Sequence, residues 1–136
     1  MKATSIFNVE KWDETEIEGF PEGNRVTTAS IIYSVEGDIS GKFFAEYVLH
    51  YTQFDTEETH KSVATFSGIL VFEGSVFDKA GSFALEESGN YTNFGPTSIL
   101  KIKANTGKNE LTGISGQGKY AFDGEKMIFE LFFEYD

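Results

Sequence analysis

Apolar and polar residues alternate along most of this chain with the two-residue period of a β-strand, and the interruptions fall at Gly, Asn, Asp and Pro clusters. The clearest block is TFSGILVFEGSVFDKAGSFALEESG, residues 65–89, in which two short apolar runs each begin beside a glycine and are joined by a tight polar connection. That block reads as an antiparallel wall with strands on either side of it. The alternation predicts strands over Lys2–Trp12, Arg25–Glu36, Lys42–Thr52, Ser62–Glu73, Gly81–Glu87, Thr97–Ala104, Glu110–Phe122 and Lys126–Tyr135. The segment from Asp13 to Asn24 reads as a loop, Gly37 to Gly41 and Asn105 to Asn109 as turns, and Asp123-Gly124 as a two-residue hairpin. In the polar loop QFDTEETHK, Asp55 and Glu58 have capping-box spacing for one helical turn, the nearest approach to a helix.

Strands on short connections with little or no helix predict an all-β, single-domain protein, a closed eight-stranded antiparallel barrel or a sandwich. In the first strand Phe7 and Val9 share one face, opposite Ile6, Asn8, Glu10 and Trp12. In the third, Phe43, Ala45, Tyr47, Leu49 and Tyr51 oppose Phe44, Glu46, Val48, His50 and Thr52. Several strands are apolar on both faces, as at Ile31-Ile32, Phe43-Phe44 and Leu131 to Phe133. A sheet with one face in water alternates more cleanly, so part of the outer wall is expected to be covered, with a homo-oligomer favoured over the N-terminal segment.

The chain has 136 residues, a formal net charge of −11, no cysteine, and 14 Phe, 6 Tyr and 1 Trp against 2 Pro. The size suffices for one real core, and the aromatic content marks an ordered β-protein. Disulfides and thiolate metal sites are excluded. The acidic balance and the lack of a basic stripe argue against nucleic acid and anionic membranes as partners. With no long apolar stretch and no signal-like start, a cytoplasmic protein is expected.

The pattern Lys2-Ala3-Thr4, Phe7 and Trp12-Asp13-Glu14, followed by Gly37-Asp38-Ile39-Ser40-Gly41, Ala45-Glu46-Tyr47, Phe66-Ser67-Gly68, Gly81-Ser82-Phe83-Ala84-Leu85 and Glu110-Leu111-Thr112-Gly113-Ile114-Ser115-Gly116-Gln117-Gly118, resembles a family of small bacterial proteins called domain of unknown function 3224. The resemblance spans nearly the whole chain. It implies a barrel of the allene oxide cyclase-like type with a central cavity, and no catalytic residues to transfer. Asn105 to Asn109 departs from the glycine-rich turn usual there. Likeness to allene oxide cyclase is one of fold, and fold does not carry function.

Candidate chemistry is sparse. Gly113-Ile-Ser-Gly-Gln-Gly118-Lys119 has phosphate-loop spacing, but Tyr120 replaces the Ser or Thr and a strand continues where a helix should begin, so these glycines are read as letting a barrel wall bend. Glu46 and His50 share a strand face and are the alternative acid/base pair, yet four residues of strand separate them by about 13 Å. His50 and His60 lie in different elements, and the acidic clusters, among them Glu86/Glu87, fit no calcium-loop spacing, so no metal and no cofactor is expected. Tyr33, Tyr47 and Tyr51 fall on the more apolar faces of their strands. With Leu49, Phe83 and Leu85 they form the expected lining for a small, largely apolar or amphipathic ligand, or else a filled core. Three functions stay open: a binding protein, an isomerase or cyclase using Glu46 or Tyr47 in the same cavity, and a non-catalytic oligomeric structural or interaction protein with a filled barrel.

Overall fold

The computed structural model describes residues 1–54, 57–58, 62–92 and 95–136. Its strands are β1 (Lys2–Ile17), β2 (Arg25–Gly37), β3 (Ile39–Gln53), β4 (Val63–Val76), β5 (Lys79–Thr92), β6 (Gly95–Ile102), β7 (Lys108–Asn109), β8 (Ile114–Phe122) and β9 (Met127–Tyr135). Neighbours in the chain pair antiparallel from β1 to β6, then β6 with β8 and β8 with β9. Pairing of β9 with β1 closes the ring, through Lys2↔Phe132 to Ile6↔Ile128. The result is an eight-stranded antiparallel barrel, with the two-residue β7 added beside Gly81 and Ser82 of β5. Among the described residues there is no helix, and so none that is long and apolar enough to cross a membrane. The capping-box spacing of Asp55 and Glu58 involves a position outside the described residues.

Several connections differ from the expectation. β1 runs five residues past Trp12 because its polar residues keep pairing with β2 as far as Ile17↔Val26, so the loop shrinks to residues 18–24. Alternating charge is no obstacle in a strand that leaves the barrel mouth and is solvated on one side. β2 and β3 likewise extend to Gly37 and Ile39, leaving Asp38 as the turn, where its carboxylate accepts the Thr4 N–H at 3.0 Å. Residues 110–113 form turns rather than the start of β8, and β7 lies within the stretch read as a turn. The β8–β9 loop has four residues, not two: Phe122 pairs with Met127, and the Asp123 side chain accepts the N–H groups of Glu125 and Lys126 at 2.9 and 2.7 Å. A carboxylate capping two amides supports the longer turn.

One half of the barrel is solid. Phe43, Phe72, Phe83 and Phe129 are all at most 1% exposed, with ring centroids 5.1 Å apart for Phe43–Phe72 and Phe72–Phe83 and 5.2 Å for Phe43–Phe129. Leu70, Leu85, Leu111, Leu131 and Val76 fill the spaces between and around them. The glycines of β8 serve this packing: the Phe129 ring lies where a Gly118 Cβ would stand, 2.7 Å from Cζ. That matches their reading as wall residues rather than a phosphate loop.

On the outside, Ile32, Phe44, Val71 and Ala84 form one cross-strand row over β2 to β5. Phe44 and Val71 are nearly half exposed, as are Val48 and Ile69 beside them. This row is where the two-faced apolar patterning of those strands ends up.

Candidate functional site

The other half of the barrel is hollow. Its cavity, about 560 Å³, is lined from β1, β2 and β3 by Phe7, Val9, Trp12, Ile31, Tyr33, Tyr47, Leu49 and Tyr51. The remaining wall is Phe66, Glu87, Tyr91, Gly95, Pro96, Tyr120 and Met127. Phe7 stands between solid core and cavity, with ring centroids 6.3 Å from Phe43, 4.4 Å from Tyr33 and 5.2 Å from Tyr120. A shallower groove of about 720 Å³ lies on the outer wall, along Glu46, Val48, Ile69, Ile99 and Lys101.

Within the cavity the polar groups converge on one carboxyl. Glu87 of β5 is 3% exposed and accepts hydrogen bonds from the Tyr47 hydroxyl at 2.5 Å, the Tyr120 hydroxyl at 3.1 Å and the Ser98 hydroxyl at 2.8 Å. Tyr33 donates in turn to the Tyr47 oxygen at 3.4 Å. The register explains the meeting, because Tyr47 of β3 faces Gly68 of β4, which faces Glu87 of β5. With no side chain at Gly68, the Tyr47 ring lies across β4 and its hydroxyl reaches the carboxyl; a Cβ there would stand 2.5 Å from Tyr47 Cδ1 and 2.2 Å from the Glu46 carbonyl oxygen. Alanine at Gly68 is therefore expected to destabilise the fold by about 1–3 kcal/mol and to lift Tyr47 off Glu87, which thermal melts and the tyrosine near-ultraviolet circular dichroism would both register.

Burial pushes the Glu87 carboxyl above the usual carboxylate range, against the lowering effect of its three hydroxyl donors. The phenols of Tyr33, Tyr47 and Tyr120 are raised as well, chiefly by burial and further by the negative charge of Glu87, while the hydrogen bond with Tyr47 works the other way on Tyr33 and Tyr120. At neutral pH these tyrosines are neutral donors around a buried acid.

A second carboxylate works at the mouth. Glu14 accepts hydrogen bonds from the Tyr51 hydroxyl at 2.6 Å, the Thr27 hydroxyl at 2.7 Å and the Trp12 indole N–H at 3.0 Å. Trp12 and Glu14 reach the inner side only because of an irregularity between Val9 and Lys11, where the pairing slips from Val9↔Tyr33 to Lys11↔Ile32. One extra residue in a strand flips every later side chain to the other face. Trp12 thus shares the cavity with Phe7, the reverse of the strict alternation expected for β1.

Of the expected lining, Tyr33, Tyr47, Leu49 and Tyr51 do line the cavity, whereas Phe83 and Leu85 lie in the solid half. Glu46 and His50 face outward from β3, because Phe43, Tyr47 and Leu49 of the opposite phase face inward. Glu46 accepts a hydrogen bond from Ser30 at 2.6 Å and His50 lies 3.3 Å from the Asn24 side-chain oxygen, both at the exposed surface. Neither reaches the cavity, so the acid/base pair has no access to anything bound there. Glu87, which the sequence places with Glu86 in an acidic cluster that fits no calcium-loop spacing, shares the phase of Phe83 and Leu85 and is buried.

The family model for proteins of unknown function DUF3224 matches residues 3–135. The chain belongs to the DUF3224 family. A crystal structure of a DUF3224 protein of unknown function from Shewanella oneidensis MR-1 superposes with a TM-score of 0.76 at 19% identity, covering 100% of this chain and 98% of that one. At that identity the likeness is one of fold, the closed barrel shared by the two chains. No curated protein matches the chain. Among the described residues of this DUF3224 chain, no group of three or more His, Asp or Glu side chains could hold a metal ion.

Proposed function

We propose that this protein binds a small, largely apolar molecule with one polar end in the hollow half of its barrel. The observation that supports the reading is the cavity of about 560 Å³, above the ~300 Å³ at which ligand pockets begin, whose aromatic walls surround a single buried polar cluster at Glu87. A protein needing only a stable barrel gains nothing from leaving half of it unfilled around a desolvated carboxyl, which costs stability. Trp12, the chain's one tryptophan, stands at the cavity and reports on it. Titration with the neutral fluorophore N-phenyl-1-naphthylamine is expected to quench Trp12 by energy transfer and to saturate at one site. Leu49→Trp, which narrows the cavity and is read through the dye's own emission because it adds a second indole, is expected to weaken that binding by at least about tenfold. Equal binding by Leu49→Trp would place the dye elsewhere and count against the reading.

The outer row of Ile32, Phe44, Val71 and Ala84 supports a second element, self-association of the barrel through β2 to β5. Sedimentation velocity of the wild type and of Phe44→Ser/Val71→Ser is expected to show an oligomer that the double variant converts to monomer. A monomeric wild type would remove this element and leave the cavity reading untouched.

A further inference from the structure

We propose that the cavity selects an organic cation, an ammonium group carried on an apolar body. This deepens the binding reading and rests on it. Glu87 is the one charged side chain among the described residues lining the cavity, and neither Lys nor Arg is in that lining. Its three partners are neutral hydroxyls: two donate to Oε1, from Tyr47 and Tyr120, and one to Oε2, from Ser98. A carboxylate has about four acceptor positions, so one on Oε2 is left, and none of the three donors cancels its charge. A buried charge without a counter-charge is costly, and a cation entering the cavity would supply the missing one.

The walls point to the same chemistry. Phe7, Tyr33, Tyr47, Phe66 and Tyr120 line the cavity together with Glu87, and aromatic rings attract desolvated cations. At the mouth this attraction is already in use: the Arg25 guanidinium lies 4.1 Å from the Phe54 ring centroid and 5.6 Å from that of Tyr51, its charge balanced by Glu16 at 2.8 Å. Glu14 adds a carboxylate beside Trp12 and Tyr51, and the chain's net charge of −11 favours the approach of cations. A carboxylate-bearing ligand would meet like charge at both ends of the cavity. Burial makes Glu87 hold a proton more tightly in the empty cavity, and an ammonium group is the other way of relieving the same buried charge.

Three probes with a common ten-carbon chain separate the possibilities: decylammonium, 1-decanol and decanoate, each titrated below its aggregation limit and followed by Trp12 fluorescence and calorimetry. The ammonium is expected to bind at least about tenfold tighter than the alcohol, with decanoate weakest. Glu87→Gln is expected to abolish the preference for the ammonium over the alcohol. Glu46→Gln, on the outer face, is expected to keep the full preference, which separates the cavity from general surface charge. Equal or tighter binding of the alcohol by the wild type overturns the cation inference and leaves the apolar-ligand reading standing. Loss of the preference in Glu46→Gln overturns it too, and failure of all three probes to bind overturns both. The wild-type comparison decides the question even if Glu87→Gln does not fold.

Discussion

Phe43→Ala is expected to cost about 3–5 kcal/mol of stability and to lower the melting temperature by on the order of 10 °C, whereas Leu49→Ala, six residues along the same strand, falls nearer 2 kcal/mol. Both side chains are buried and both point inward from β3, so burial alone does not separate them. What differs is the far side of each. Phe43 packs against Phe72 and Phe129 at ring distances of 5.1 and 5.2 Å, and its removal leaves a new void in a solid core. Leu49 borders a cavity that already exists, so its truncation enlarges that space and forfeits contacts on one side only. Urea unfolding of the two variants measures the difference directly. Equal losses would mean that the hollow half is packed in solution as tightly as the solid half.

The strand phase was readable wherever pairing was regular. Tyr33, Tyr47, Leu49 and Tyr51 were assignable to one lining from their spacing, and the alternation that placed them inside places Glu46 and His50 outside. The polar centre was missed for two physical reasons. Glu87 continues the phase of Phe83 and Leu85, but with Glu86 beside it the sequence offers only an acidic pair without metal-loop spacing, and cross-strand Gly68 and Tyr47 are what show why a carboxyl is buried there. Trp12 and Glu14 depend on an irregularity near Glu10 that no glycine or proline marks. Phe83 and Leu85 were correctly read as apolar, yet alternation says which face a residue takes and not how far along the barrel the filling extends. A local period carries the fold; the cavity arises from which residues stand opposite one another across the ring.

The buried cluster also fixes how stability depends on pH. Tyr33, Tyr47 and Tyr120 have pKa values raised above the ordinary value of 10.0, so the unfolded chain loses these protons before the folded one does. A raised pKa contributes stability that is fully present below the unfolded value and is lost as the pH climbs past it. Each such tyrosine therefore costs about 1.4 kcal/mol per pH unit above 10, or on the order of 4 kcal/mol per unit for the three together. Glu87, which these tyrosines and Ser98 face from β2, β3, β8 and β6, has the same sign in a lower window. Its contribution is complete below about pH 4 and is lost as the pH rises through its raised folded-state value. Thermal melts from pH 4 to pH 11, with tyrosinate absorbance read at each pH, are expected to show a shallow loss of stability on the acid side of neutrality and a steep one above pH 10. Tyrosinate from the cluster is expected to appear only together with unfolding. Glu87→Gln is expected to abolish the shallow acid-side slope and retain the steep alkaline one, because the phenols stay buried when the carboxyl is replaced by an amide. Free ionisation of all six tyrosines near pH 10 in the folded protein would mean that water reaches the cluster, and the desolvated carboxyl on which the binding reading depends would be lost with it.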